Sequence, residues 1–131
     1  TDDITNSASS FMIEMNDLKY ILDNATKKSL ILLDEPAKST NSKESGAIVK
    51  SFIEYVLKYY KTKSIITTHN LDITELEEKY PNQIFNYHLG ENSFQDRKIK
   101  RGIAKNSSAI TTAKIVNLPK ELIETAESYL K

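Results

Sequence analysis

The sequence predicts an α/β fold: parallel strands flanked by helices, followed by a C-terminal hairpin and helices. Three observations lead there. Ser29–Leu33 and Ser64–Thr68 are short apolar or β-branched runs of strand length. A long helical pattern lies between them, so the order helix–strand–helix–strand calls for a crossover and parallel pairing. Two further strand-like segments then flank a turn-forming Gly90–Asn92, the pattern of a hairpin.

From Ser10 to Thr26, Phe11, Met15, Leu18, Leu22 and Ala25 recur every three or four positions, which predicts an amphipathic helix. Ser9 or Ser10 is suited to cap it, and Glu14 falls in its expected first turn, where the helix dipole favours negative charge. "SLILL" (Ser29–Leu33) has the composition of a strand buried on both faces. Glu44–Tyr60 carries Ile48, Val49, Phe52, Ile53, Val56, Leu57 and Tyr60, enough apolar positions for a helix with contacts on two sides. "SIITT" (Ser64–Thr68) predicts a second strand ending at His69, and Thr74–Lys79 a short helix stopped before Pro81. Gln83–Leu89 and Ser93–Lys100 predict the hairpin strands. Ser107–Val116 predicts a helix, and Pro119 opens a last one with Leu122, Ile123, Ala126 and Leu130 on its apolar side.

Composition narrows the function classes. The chain has 131 residues, enough for one domain, with 39% hydrophobic and 27% charged residues. Lys+Arg and Asp+Glu both number 18, so no broad cationic excess exists to hold nucleic acid unaided. The absence of cysteine excludes disulfides and thiolate metal sites. No apolar run approaches the roughly 18 residues of a membrane span, and the acidic opening "TDDITNS" does not resemble a signal peptide, so a cytoplasmic, non-membrane protein is expected. The opening also lacks Met, which suggests a piece of a longer chain.

The chemistry gathers at strand ends. In a parallel sheet, ligands sit beyond the carboxyl ends of the strands. Asp34 and Glu35 end the first strand and His69 ends the second, so neighbouring strands would bring all three to one crevice. That set suits nucleotide hydrolysis. An Asp there can hold Mg²⁺ through its water shell. The adjacent Glu can orient or deprotonate a water, and the His can stabilise a γ-phosphate. Each residue alone has a plainer reading, as a solvated strand end or a surface histidine. Tyr55, Tyr59 and Tyr60 are spaced for helix packing more than for base stacking, and "DRKIKR" (Asp96–Arg101) reads as a charged hairpin edge.

A family resemblance covers the whole chain. "SLILLDE" resembles the Walker B segment of ABC-type ATPases. "SASSFMIEM" (Ser7–Met15), after "DDI", resembles the signature loop and helix start of the MutS family, usually close to "GRSTFMVEM". "AKSTNSKES" resembles the D-loop that follows Walker B, and "TTHN" the switch-histidine strand. "IKRGIAKNSSAITTAKIVNLPKELIETAESYL" resembles the family's C-terminal stretch, in which a G-x-A-x-x-S segment precedes two helices. Ser7 and Ala8 stand where the signature has Gly and Arg, and Lys38 and Ser39 where the D-loop has Arg and Gly.

The resemblance implies a P-loop NTPase-like, ABC-ATPase partial domain using ATP and Mg²⁺. Asp34 would be the Mg²⁺-associated acid, Glu35 the catalytic base and His69 the switch histidine. Ser9 and Ser10 would form the signature loop that meets the γ-phosphate held by a second subunit, at a helix N-terminus. Thr40 and Asn41 would line the nucleotide-bridged dimer interface. The phosphate cradle G-x-x-x-x-G-K-[ST] is absent: Gly46, Gly90 and Gly102 are the only glycines, and none precedes Lys-Ser or Lys-Thr. In the family it lies upstream of the signature loop, so residues 1–131 are expected to be the C-terminal part of the ATPase domain and inactive alone. The implied partners are a second copy, paired through the ATPase domains, and DNA, held by other domains of an intact mismatch- or structure-recognising protein. Two other readings stay open: a MutS-related ATP-dependent factor that remodels a protein such as an aminomutase, and a non-catalytic dimerisation module using Pro119–Leu130.

Overall fold

A computed structural model describes residues 2–89, 97–104 and 108–131, and divides the chain into two compact units, residues 1–80 and 81–131.

The first unit opens with helix α1 (Asp2–Asn24). The expected apolar stripe forms as predicted: Leu18 is buried, with Phe11, Met15, Leu22 and Ala25 packed around the core. The start differs. The helix begins at Asp2, so Ser9 and Ser10 lie inside it and do not cap it, and Glu14 is well past the first turn. The cause is local. Ser7 stands where the usual signature loop has glycine, so "SASS" contains no strong helix breaker, and serine favours a helix over glycine by roughly 0.5 kcal/mol.

Strand β1 (Leu30–Asp34) pairs in parallel with β2 (Lys63–Thr67), in a register that sets Leu32 beside Ile65 and Asp34 beside Thr67. Helix α2 (Ser42–Tyr59) is the crossover between them and serves two clusters, as its many apolar positions suggested. Phe52 and Val56 pack with Leu18 and Ile31, while Val49 packs with Ala37 and Ile73. Two side-chain bonds tie the unit together: the Tyr60 hydroxyl at the end of α2 donates to the Leu22 carbonyl of α1, and the Thr62 hydroxyl just before β2 donates to the carbonyl of Ser29 just before β1. After β2 the chain makes a 3₁₀ turn (Leu71–Glu75) and a single α-turn, α3 (Leu76–Lys79), which bury Ile73 and Leu76.

The strands are not buried on both faces. Ile31 is buried and Leu33 half-buried beneath the helices, but Leu30, Leu32 and Ile65 are 58%, 64% and 60% exposed. An aliphatic strand pattern records a preference for burial, not the presence of a covering layer. Among the described residues, no such layer lies over this second face.

In the second unit, β3 (Tyr87–Leu89) pairs antiparallel with β4 (Ile99–Arg101), in shorter strands than predicted. The Gly90–Asn92 turn and the first four residues of the expected second strand, 93–96, lie outside the described residues. The Arg101 guanidinium lies over Phe85 and Tyr87, and its Nη1 donates to the Asn86 carbonyl at 2.8 Å. Helix α4 (Ser108–Ile115) ends on left-handed Asn117: the Asn117 N–H bonds to the Lys114 carbonyl and the Leu118 N–H to that of Ala113, a Schellman closure. Helix α5 (Lys120–Tyr129) follows, with Pro119 as its N-cap residue. Of its expected apolar side only Ile123 is buried; Leu122 and Leu130 are exposed.

Candidate functional site at the strand ends

The parallel register delivers the predicted residues to one place. Asp34 closes β1 directly beside Thr67 of β2. Glu35 follows with φ 47°, a left-handed conformation that costs a non-glycine residue about 1–2 kcal/mol. Its N–H is held at 3.0 Å by both the carbonyl and the hydroxyl oxygen of Thr67. The same hydroxyl donates to Asp34 Oδ1. His69, two residues past β2, brings Nε2 to 2.9 Å from Glu35 Oε1. That is hydrogen-bond distance, and an ion pair when the imidazole is protonated. Asp34, Glu35 and His69 therefore form one contiguous polar group.

The loop carrying His69 is anchored on both sides. The Asn70 N–H bonds to the Thr68 hydroxyl oxygen at 2.9 Å, and Asn70 Oδ1 accepts from the Asp72 N–H at 3.1 Å. Asn70 Nδ2 donates to the Ser42 carbonyl at 2.7 Å, joining the loop to the first turn of α2. Gly46 makes room for it: a Cβ there would stand 3.0 Å from Asn70 Nδ2.

The turn after Glu35 is also held. Ala37 has φ 57° and is buried beside Val49 and Ile73. The Ser39 N–H points at Glu14 Oε2, 3.4 Å away, so Glu14 faces this turn and not a helix terminus. Asn41 and Glu44 cap α2 reciprocally. Asn41 Oδ1 accepts from the Glu44 N–H and Asn41 Nδ2 donates to Glu44 Oε2, both at 2.9 Å; the Thr40 hydroxyl donates to the same oxygen at 3.3 Å. Thr40 and Asn41 thus have a local structural task. Ser9 and Ser10 are exposed mid-helix residues of α1, and no hydrogen bond among the described residues joins them to the acid pair.

Sequence reasoning named the acids and the histidine but missed Thr67, Asn70 and Gly46. The signal was the polar run "TTHN" directly after an aliphatic strand, whose partners only the register identifies.

An exposed carboxylate at a strand end fits Mg²⁺, which prefers one or two carboxylates with water and phosphate oxygens around it. Among the described residues no group of three or more His, Asp or Glu gathers as a metal cage, and Mg²⁺ commonly keeps water and phosphate oxygens among its ligands. In this arrangement Asp34 can orient such a cation's water shell. Glu35 can accept a proton from a water, and His69 can steer Glu35 and donate to an anionic oxygen.

Fold and site together define a mixed α/β chain with a small parallel sheet whose polar groups collect beyond the strands' carboxyl ends. The chain belongs to the family described as MutS domain V, whose family model matches residues 1–131. It is 37% identical to the DNA mismatch repair protein MutS of Clostridioides difficile, covering 100% of this chain and 14% of that protein. The protein of that name from Caldicellulosiruptor bescii is 38% identical over 100% of this chain and 16% of its own length. That from Aquifex pyrophilus is 40% identical over 94% of this chain and 15% of its own length. The chain thus spans about one-seventh of these curated relatives. No described helix is long and apolar enough to cross a membrane.

Proposed function

We propose that this chain is the C-terminal part of a P-loop NTPase-like, MutS-type ATPase domain, in a protein that couples ATP hydrolysis to recognition of DNA mismatches or altered DNA structure. The observation that carries this is the convergence of Asp34, Glu35 and His69 on one end of a parallel strand pair, with Glu35 and His69 2.9 Å apart. When bound, ATP with Mg²⁺ supplies the phosphoryl group and the neutralising charge. Asp34 would hold the Mg²⁺ side of the site, Glu35 would accept the proton of a water beside it, and His69 would orient Glu35 and donate to a phosphate oxygen.

The phosphates' cradle is not encoded in residues 1–131, so the chain alone neither binds ATP tightly nor turns it over. Titration of the isolated chain with ATP–Mg²⁺ checks this; a micromolar dissociation constant contradicts it. The bare face formed by Leu30, Leu32 and Ile65 supports the same reading, because further strands and helices of a larger domain would cover it. In the full-length protein, two such domains pair, each supplying Asp34, Glu35 and His69 to its own nucleotide. Ser9 and Ser10 face the neighbour's nucleotide, and Thr40 and Asn41 line the dimer interface. For Ser9 and Ser10 this pairing requires the first turns of α1 to open, since inside a helix their N–H groups are already committed.

Relatives that carry the name DNA mismatch repair protein MutS favour DNA recognition over protein remodelling or simple dimerisation. DNA binding by the full-length protein tests it. Tighter binding to a mismatched than to a matched duplex at low salt supports the reading, and equal or absent binding to both overturns it in favour of remodelling.

A further inference from the structure

We infer that Thr67 is a positioning residue for the acid pair: its single hydroxyl aims the Asp34 carboxylate and locks the left-handed backbone that turns Glu35 toward His69. This rests on the nucleotide-hydrolysis reading of the same site, which does not itself need Thr67.

Three observations converge on this hydroxyl. It donates to Asp34 Oδ1. It accepts the Glu35 N–H at 3.0 Å. It also stands at the register position directly beside Asp34, so both side chains leave the same face of the pair. The Thr67 carbonyl would bond to Glu35 whatever residue stood at 67, but that bond alone fixes one direction of a strained peptide. A φ of 47° persists at a non-glycine residue only where the surroundings over-determine it, and the hydroxyl is the second constraint. One oxygen using its donor and its acceptor on consecutive residues makes the orientations of Asp34 and Glu35 depend on each other. Asp34 cannot swing away without freeing the hydroxyl that holds Glu35. Glu35 in turn cannot relax to an ordinary extended φ without losing its 2.9 Å contact with His69. β-Branched character alone does not explain the residue, because valine would serve a strand as well and could make neither bond.

The test uses the full-length protein with T67V, T67S and, as a control, E35Q. T67V keeps the shape and removes both bonds; T67S keeps the hydroxyl and removes the methyl. T67V is expected to lower kcat for ATP by about tenfold or more with KM for ATP changed by less than about twofold, the pattern of misplaced groups and not of lost binding. It should also raise the Mg²⁺ concentration needed for half-maximal rate, which a merely structural role would leave alone. T67S should recover most of the rate. Wild-type kcat and Mg²⁺ dependence in T67V beside an inactive E35Q would overturn the inference while leaving the hydrolysis reading intact. So would a T67S protein as impaired as T67V. If the wild-type protein shows no ATP hydrolysis, the hydrolysis reading fails, and a crystal structure of T67V still decides the role of Thr67. Glu35 released from φ near +47° with the His69 contact broken supports it, and unchanged Asp34 and Glu35 orientations overturn it.

Discussion

The two faces of the β1–β2 pair are covered very differently. Beneath α1 and α2, Ile31 is 4% exposed and sits among Leu18, Phe52 and Val56. One residue along, Leu32 points the other way and is 64% exposed, with Ile65 beside it at 60%. Each face carries three aliphatic residues, Ile31, Leu33 and Ile66 on one and Leu30, Leu32 and Ile65 on the other, so the difference at these positions lies in what covers them. The covered face holds the strands in place. The bare face shares its side with Asp34 and Thr67, and so with the chemistry. A layer laid over Leu30, Leu32 and Ile65 would also wall the acid pair.

Substitutions can break this comparison. The largest effect is expected at Ile31: Ile31→Ala should destabilise by about 2–5 kcal/mol in denaturant unfolding, because it opens a cavity among packed side chains. Leu32→Ala should change the stability of the isolated chain by no more than about 0.5 kcal/mol. In the full-length protein the two costs should approach each other if the bare face is covered there. A Leu32→Ala that remains neutral in that setting contradicts the partial-domain reading.

A smaller effect sharpens the picture at the turn after the acids. Asn41→Ala removes the cap of α2 and should cost about 0.5–2 kcal/mol of stability, measured by thermal or denaturant unfolding. A loss of ATP turnover in the same variant, beyond what its stability loss explains, would support an interface role for Asn41 in addition to capping.

The smallest expected effect lies on the solvent side. Lys79 Nζ and Glu54 Oε1 are 2.7 Å apart, and this hydrogen bond holds Glu54 below the ordinary carboxylate range and Lys79 above its own. A lowered carboxylate value stabilises at pH above the unfolded-state value and is lost as pH falls through the folded one. A raised lysine value stabilises below its unfolded value and is lost as pH rises through the folded one. Glu54→Gln should therefore lower the melting temperature slightly near neutral pH. The difference from wild type should shrink in acid and at high salt, since the pair is solvent-screened.

The sequence made α2, the two parallel strands and the acid pair with His69 legible, because a 3.6-residue period and strand-ending polar residues are local signals. The stripe Phe11–Met15–Leu18–Leu22 located α1 for the same reason. Its start at Asp2 was hidden by the expectation of a loop at Ser7–Ser10, where the absent glycine left nothing to stop the helix. The bare face at Leu30 and Leu32 was not legible, since an aliphatic strand reads alike whether or not something covers it. Thr67 and Asn70 were not legible either: their partners, Asp34, Glu35 and Ser42, lie about thirty residues away and are brought together only by the register and the crossover.

Steady-state ATP hydrolysis by the full-length protein carrying Glu35→Gln tests the assignment of this site most directly. Loss of a general base predicts a fall in kcat of about 10²–10⁴ with ATP binding retained. Turnover equal to wild type would remove Glu35 from the chemistry and reduce the strand-end cluster to a capped turn.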